Sequence, residues 1–209
     1  MDSLSPRAIP KSQVHHRTLV KEMPLNLVFF GPPGAGKGTQ ADRFAERHGI
    51  PKISTGDMLR KAVAEGSRVG ALVRETLQTG ALVGDDLIIS LVAERLGEPD
   101  TANGFVLDGF PRTIPQAAAL DAMLADRGGV SVVALVCHAD EIIRRLAVRG
   151  REDDDAFVIK ERLAVYSRET EPVLEFYRRR GAVSILDGNR PPGEVSAAIE
   201  DAVHLKLRP

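Results

Sequence analysis

Along this chain, short continuously apolar runs alternate with longer stretches in which apolar residues recur every three or four positions. The runs "LNLVFF" (Leu25 to Phe30), "GFVLDG" (Gly104 to Gly109), "VSVVALVC" (Val130 to Cys137) and "AVSILDG" (Ala182 to Gly188) predict strands, the first of them uniform enough to be buried on both faces. Between them the helical period predicts helices near Gly36–His48, closed by Gly49 with Pro51 beyond it, then near Asp57–Glu65 and Arg68–Gln78. In "GDDLIISLVAERLGEP" the residues Leu87, Ile88, Leu91, Val92 and Leu96 share one helix face. Further helices are expected near Thr113–Asp126, in "DEIIRRLAVR", over a long span near Ala156–Arg180, and near Glu194–Leu205. Strands alternating with helices specify an α/β fold: a parallel sheet covered on both faces, joined by right-handed crossovers. Ligands in such sheets sit at the carboxyl ends of the strands.

Residues 1–23 break this pattern, with two prolines and no periodicity. They lack the apolar core of a signal peptide; their basic, Ser-containing character faintly suggests an organellar transit peptide, but a disordered extension is the expectation, with Met23 as an alternative start.

Composition narrows the function. A length of 209 residues fits one domain with insertions, and 43% hydrophobic residues supply its core. A net charge of -1 argues against nucleic-acid or membrane binding by bulk charge. Arg nevertheless supplies 21 of the 28 basic residues, which suits a phosphate-binding pocket inside a neutral protein. The single cysteine, Cys137, excludes an internal disulfide and fits a reducing cytoplasm. Its apolar surroundings predict a buried core thiol. No apolar run reaches the ~20 residues of a membrane span. The five histidines form no H-E-x-x-H and pair with no second cysteine, so a protein-ligated zinc is not expected.

Four stretches carry candidate chemistry at the predicted sheet edge. "GPPGAGKGT" (Gly31 to Thr39) fits the phosphate-loop pattern at Gly31, Gly36 and Lys37, but Gly38 stands where a magnesium-binding hydroxyl normally follows the lysine. A tight strand-to-helix turn would also use glycine; the lysine, the apolar strand before and the helix after favour phosphate held by backbone N–H groups from Gly34 to Thr39. In "PKISTGDMLRKAV", Ser54 or Thr55 caps a helix with Asp57 in its first turn, and Arg60 lies one turn on, placed for an anion. In "GFVLDGFPRTIPQA", Asp108-Gly109 is either a plain turn or an acidic strand end of the kind that orders magnesium-bound water, with Arg112 and Gln116 following. In "RRLAVRGREDDDAFVIKERL", Arg145 and Arg149 share a helix face, Arg151 follows Gly150, and Arg162 lies in the next helix, whose cap is Asp154 or Asp155. Read alone this last run is a solvated hinge; beside three other anion-sized positions it is a binding element.

Together, "GPPGAGKGTQA", "ISTGDMLR", "GALV" followed by "DD", "GFVLDGFPRTIPQA", "RGRED" and "DGNRP" resemble the adenylate kinases of the nucleoside monophosphate kinase family, in family order from Leu25 to about Pro209. The resemblance implies a P-loop three-layer α/β/α fold with five parallel strands. It also implies a core over residues 24–53, 84–147 and 155–209, an AMP-binding segment at 54–83 and a lid at 148–154. The implied reaction is ATP + AMP ⇌ 2 ADP with Mg²⁺, in adenine nucleotide homeostasis. By position, Gly34, Ala35, Gly36, Lys37, Gly38 and Thr39 would hold ATP phosphates, with Arg145 and Arg190 near the ATP adenine. Thr55, Arg60, Ala81, Leu82, Val83, Gly109, Phe110, Pro111, Arg112 and Gln116 would hold AMP. Lys37, Arg112, Arg149, Arg151 and Arg162 would surround the migrating phosphoryl group, Arg149 from the ATP side, Arg151 and Arg162 also meeting AMP. Asp108 would orient magnesium's water shell. Only "GREDDD" separates Arg149 from Ala156, so the chain resembles the short-lid type without zinc. A cytoplasmic monomer is expected. The alternatives are a kinase of UMP, CMP or another monophosphate, and a catalytically silent nucleotide-binding protein of the same fold.

Overall fold

The computed structural model describes residues 24–150 and 155–207. The expectations for residues 1–23, for Arg151 and for most of the lid segment lie outside them. Five strands, β1 (Leu25–Phe30), β2 (Lys52–Ser54), β3 (Gly104–Asp108), β4 (Ser131–Val136) and β5 (Val183–Asp187), form one all-parallel sheet in the order β2-β3-β1-β4-β5. The hydrophobic pattern gives four of these. β2 has three residues, too few for any period to register, and its pairing with β3 defines it.

The central strands are buried on both faces because alternate residues feed two cores. Val28 and Phe30 of β1 pack with Phe105 and Leu107 of β3 under helices α4 (Asp85–Leu96), α5 (Ile114–Met123) and α8 (Glu171–Arg178), through Val92, Leu120 and Val173. Leu27 and Phe29 face the other way, onto Phe44 of α1 (Lys37–His48) and Ile199 of α9 (Pro192–Leu207). Each strand residue in these layers is at most 2% exposed. Full burial of such a side chain stabilises by about 1.5–3 kcal/mol. Asn26 interrupts β1, and its amide nitrogen donates to Arg127 O at 2.8 Å and Gly129 O at 2.9 Å, fixing the turn before β4.

Caps set the remaining boundaries. Ser54 caps α2 (Thr55–Ala64) by accepting from Asp57 N, Ser67 caps α3 (Arg68–Thr79), and Asp155 caps α7 (Ala156–Val165). α1 ends at Gly49 in the left-handed conformation, φ 62°, where a side chain would be strained. The long helix expected near Ala156–Arg180 is α7 and α8 joined by a π-helical stretch, Tyr166–Thr170. Pro172 lacks the N–H that would close an ordinary turn there, and the helix widens ahead of it.

The register decides where the site lies. Ser54 pairs with Asp108, and Asp108 with Phe29, so three chain exits stand level at one sheet edge. Among the described residues no helix is long and apolar enough to cross a membrane. Cys137 lies just past β4 and is half-buried, not a core thiol; its Sγ contacts Asn189 Oδ1 at 3.3 Å. Burial pushes that thiol up from its ordinary value.

Candidate active site

The glycine loop runs from the end of β1 into α1. Gly34 and Gly36 take φ of 83° and 94°, a region side chains avoid, so the loop can turn its amides inward only with glycine there. A Cβ on Gly34 would also come within 3.0 Å of Leu146, against which the loop is packed. Gly36 precedes α1 without capping it through a side chain, which leaves the helix N-terminus available to an anion.

Lys37 bends back over the loop and donates to Gly31 O at 2.7 Å and Pro32 O at 2.9 Å. Lys37 as a whole is half-buried. Burial lowers its pKa to about 8; Asp108 opposes the shift, and Arg112, Arg162 and Arg149 add to it. Those four contributions show that one acid and three guanidiniums lie within electrostatic reach of the lysine. A cluster with such an excess of positive charge is complementary to a polyphosphate.

Each guanidinium comes from a different element. Arg112 follows the Asp108-Gly109 turn, where Gly109 has φ 83°, and its Nε donates to Gly109 O at 2.8 Å. The π-helical stretch secures the same residue, Thr170 Oγ donating to Arg112 O at 3.2 Å. Arg149 ends α6 (Ala139–Arg149), and Arg162 lies in α7, against Gly80, where a Cβ would meet it at 2.9 Å. Asp108 ends β3 with Oδ2 only 3.4 Å from the position a Cβ would take on Gly38. Glycine after the lysine thus brings the loop close to this carboxylate.

Two clefts meet at these groups. The larger, about 520 Å³, is lined by the loop from Gly34 through Thr39, by Asp108 and Arg112, and by Arg145, Arg149, Arg162 and Arg190. That volume falls within the usual range for small-molecule sites. Arg145 is aimed there by its neighbours: Nη2 donates to Gly188 O at 2.9 Å, Nη1 to Ala35 O at 3.4 Å, and Nε to Glu141 Oε1 at 2.6 Å. Arg190 pairs with Glu194 at the rim.

The smaller cleft is lined by Thr55, Arg60, Ala81, Leu82, Val83, Gly109 and Gln116, with Leu59, Leu77 and Ile88 as its apolar wall. Arg60, Gly109, Arg112 and Arg162 line both clefts. Thr55 Oγ donates to Gly109 O at 3.0 Å, tying α2 to the turn after β3. Arg60 pairs with Asp57 Oδ1 at 2.5 Å. Phe110 and Pro111 do not line either cleft, but they share a neighbouring pocket with Lys37, Leu82, Gly109, Arg112 and Arg162. Phe110, 1% exposed, anchors the turn after β3 in the core. Among the described residues, no group of three or more His, Cys, Asp or Glu is arranged to hold a metal.

Two acids outside the sequence expectations complete the site. Glu141 precedes Arg145 by four residues, a spacing that places them on one helix face and was visible in "DEIIRR". Asp85 opens α4 in the "DD" pair and holds the Gln116 side chain at 2.7 Å across 31 residues of sequence, which no local pattern signals.

Residues 29–182 match the family described as Adenylate kinase. The chain is 46% identical over 188 residues to an adenylate kinase of Xanthobacter autotrophicus, covering 84% of this chain and 96% of that protein. It is 46% identical over 185 residues to one of Caulobacter sp., covering 86% and 98%. With one of Azorhizobium caulinodans it shares 45% identity over 188 residues, covering 84% and 97%. The sheet, the loop and these relatives agree: the chain belongs to the adenylate kinase family, and it is a phosphotransferase.

Proposed function

We propose that the larger cleft takes ATP and the smaller AMP, and that the γ-phosphoryl group crosses between them at the shared arginines to give two ADP. The observation that carries this reading is that Arg112 and Arg162 line both clefts while lying within reach of Lys37. A group passing from one nucleotide to the other stays inside one cationic cage throughout.

In this reading loop amides from Gly34 to Thr39 hold the β- and γ-phosphates, and Lys37 leaves its contacts with Gly31 and Pro32 to follow the transferred group. Arg112, Arg149 and Arg162 neutralise the charge spread over the equatorial oxygens, with Arg151 beside them in sequence. Phosphoryl transfer needs in-line positioning and charge stabilisation more than covalent help, and fixed guanidiniums supply both. Arg145 and Arg190 line the donor adenine. Thr55, Arg60 and the Ala81–Val83 backbone hold AMP, with Gln116 at its base.

Magnesium fits this site only in company with nucleotide. Asp108 is one carboxylate at the loop's head, suited to order the water shell of a magnesium that arrives on the phosphates; such an ion would supply neutralisation of phosphate charge. Residues 54–83 serve as the AMP-binding segment, closing over the acceptor to exclude water from the phosphoryl group, while the lid expected at 148–154 lies mostly outside the described residues. The lone cysteine and near-zero charge suit a cytoplasmic monomer acting on diffusible nucleotides. ADP formation from ATP with each monophosphate in turn tests the reading. AMP is expected to be the best acceptor; turnover of UMP or CMP well above AMP overturns it.

A further inference from the structure

A glutamine side chain is ambiguous as a reader of bases. Its amide offers N–H donors at one end and an acceptor oxygen at the other, and a half-turn of the last torsion exchanges them. Adenine and hypoxanthine have nearly the same shape but opposite polarity at this edge. Adenine presents an acceptor at N1 and a donor at its exocyclic amine; hypoxanthine presents an N1–H donor and a carbonyl acceptor. A glutamine able to turn over would serve both.

Gln116 is 2% exposed and lines the smaller cleft, and both ends of its amide are engaged. Oε1 accepts from Arg112 N at 2.7 Å, and Nε2 donates to Asp85 Oδ1 at 2.7 Å. The partners have fixed polarity: a backbone N–H only donates, and a carboxylate only accepts. Turning the amide over would place donor against donor at Arg112 and acceptor against acceptor at Asp85. Asp85 is itself held, since Thr113 Oγ lies 3.0 Å from both of its oxygens and the residue sits in the first turn of α4, where the helix dipole favours negative charge. After these two bonds Gln116 retains one N–H and one lone pair for a ligand.

We propose that Asp85 is a positioning residue that sets base specificity: with Arg112 N–H it locks the Gln116 amide in one orientation, so that the acceptor site distinguishes a 6-amino purine from a 6-oxo purine. The inference rests on the assignment of AMP to the smaller cleft, and it adds a cause for selectivity in a side chain that need not touch the nucleotide. Of the two points of the lock, Asp85 alone is open to side-chain substitution.

The test is ADP formation from ATP with AMP or IMP as acceptor, comparing kcat/KM ratios. The wild-type protein is expected to prefer AMP by at least about a hundredfold, as sites built on specific hydrogen bonds do. In Asp85→Ala that ratio falls about tenfold or more, through a raised KM for AMP and a lowered one for IMP, the loss expected for one charge-assisted hydrogen bond. In Asp85→Asn the carbonyl oxygen still accepts from Nε2 while Arg112 N–H fixes the other end, and the ratio stays within about threefold of wild type. A folded Asp85→Ala that loses AMP and IMP turnover in equal proportion overturns the lock, because a purely structural role predicts that result. If Asp85→Ala does not fold, the wild-type comparison decides: equal use of IMP and AMP overturns the lock, and a hundredfold preference that Asp85→Asn preserves sustains it. Absence of ADP formation from AMP by the wild-type protein would instead refute the assignment of the cleft, a different failure with a different signature.

Discussion

Glu141 holds Arg145 by a 2.6 Å ion pair, four residues apart on α6, and from that grip the guanidinium spans the loop carbonyl Ala35 O and the Gly188 carbonyl after β5. The pair therefore connects three elements at one end of the larger cleft. Hydrogen bonds from Arg144 and Arg145 bring the Glu141 carboxyl down to about 2. The group is ionised well below the pH at which an unpaired Glu protonates, and its contribution is present in full above about 4.5 and is lost as pH falls from there through about 2. Glu141→Gln is expected to raise the KM for ATP several-fold with little change in kcat, and with the same ratio to wild type from pH 5 to 8. Steady-state kinetics across that range check both parts; a ratio that closes as pH falls toward 5 contradicts the depressed carboxyl.

Lys37 gives the opposite kind of pH dependence. Burial lowers its folded pKa to about 8, whereas the unfolded lysine holds its proton to about 10.5. Between those values the unfolded chain binds more protons, so this group makes the nucleotide-free protein more stable as pH rises through the window. Phosphate affinity runs the other way, because a neutral amine attracts no anion. ATP affinity is expected to weaken above about pH 8, and binding at pH 9 to take up a proton. Calorimetry in two buffers of different ionisation enthalpy measures that uptake directly; buffer-independent heats at pH 9 would contradict it.

Arg149→Ala removes one guanidinium of the cationic cluster at the end of α6. Turnover is expected to fall by roughly 10³-fold, the order attributed to an arginine engaged with a transferring phosphoryl group. The thermal midpoint is expected to stay within a few degrees of wild type, since the side chain stands at the rim of the cleft and not in either core. Near-normal turnover refutes the assigned role.

Asn26→Ala tests the fold separately from the site. The substitution strands two carbonyls, Arg127 O and Gly129 O, and opens space beside a residue that is 3% exposed. A loss of about 1–2 kcal/mol in denaturant unfolding is expected, from the two lost hydrogen bonds and the void, offset in part because the unpartnered Asn26 Oδ1 goes with them. The KM values for both nucleotides should be unchanged where the protein remains folded.

Much of this architecture is local and was readable in order along the chain. Continuously apolar runs specify β1, β3, β4 and β5, and cap residues specify where α1, α2 and α7 begin or end. Such signals need only neighbours within a few positions. The glycine loop was equally legible, because its conformation is written in glycines that tolerate positive φ. The resemblance to a family then supplied roles that spacing alone leaves open.

Tertiary structure decided the rest. β2 is too short to carry a period and exists through its pairing with β3. Cys137 sits in an apolar stretch, yet β4 ends one residue earlier and leaves it half-buried. Phe110 belongs to the motif of the smaller cleft but turns into the core. The sequence by itself determined which residue types stand at the carboxyl ends of the strands. Which of them meet was set by strand register and crossover packing, which bring Lys37, Asp108, Arg112, Arg149 and Arg162 within one electrostatic range and seat Asp85 against Gln116. Those distances depend on the whole sheet, and no local window of the chain contains them.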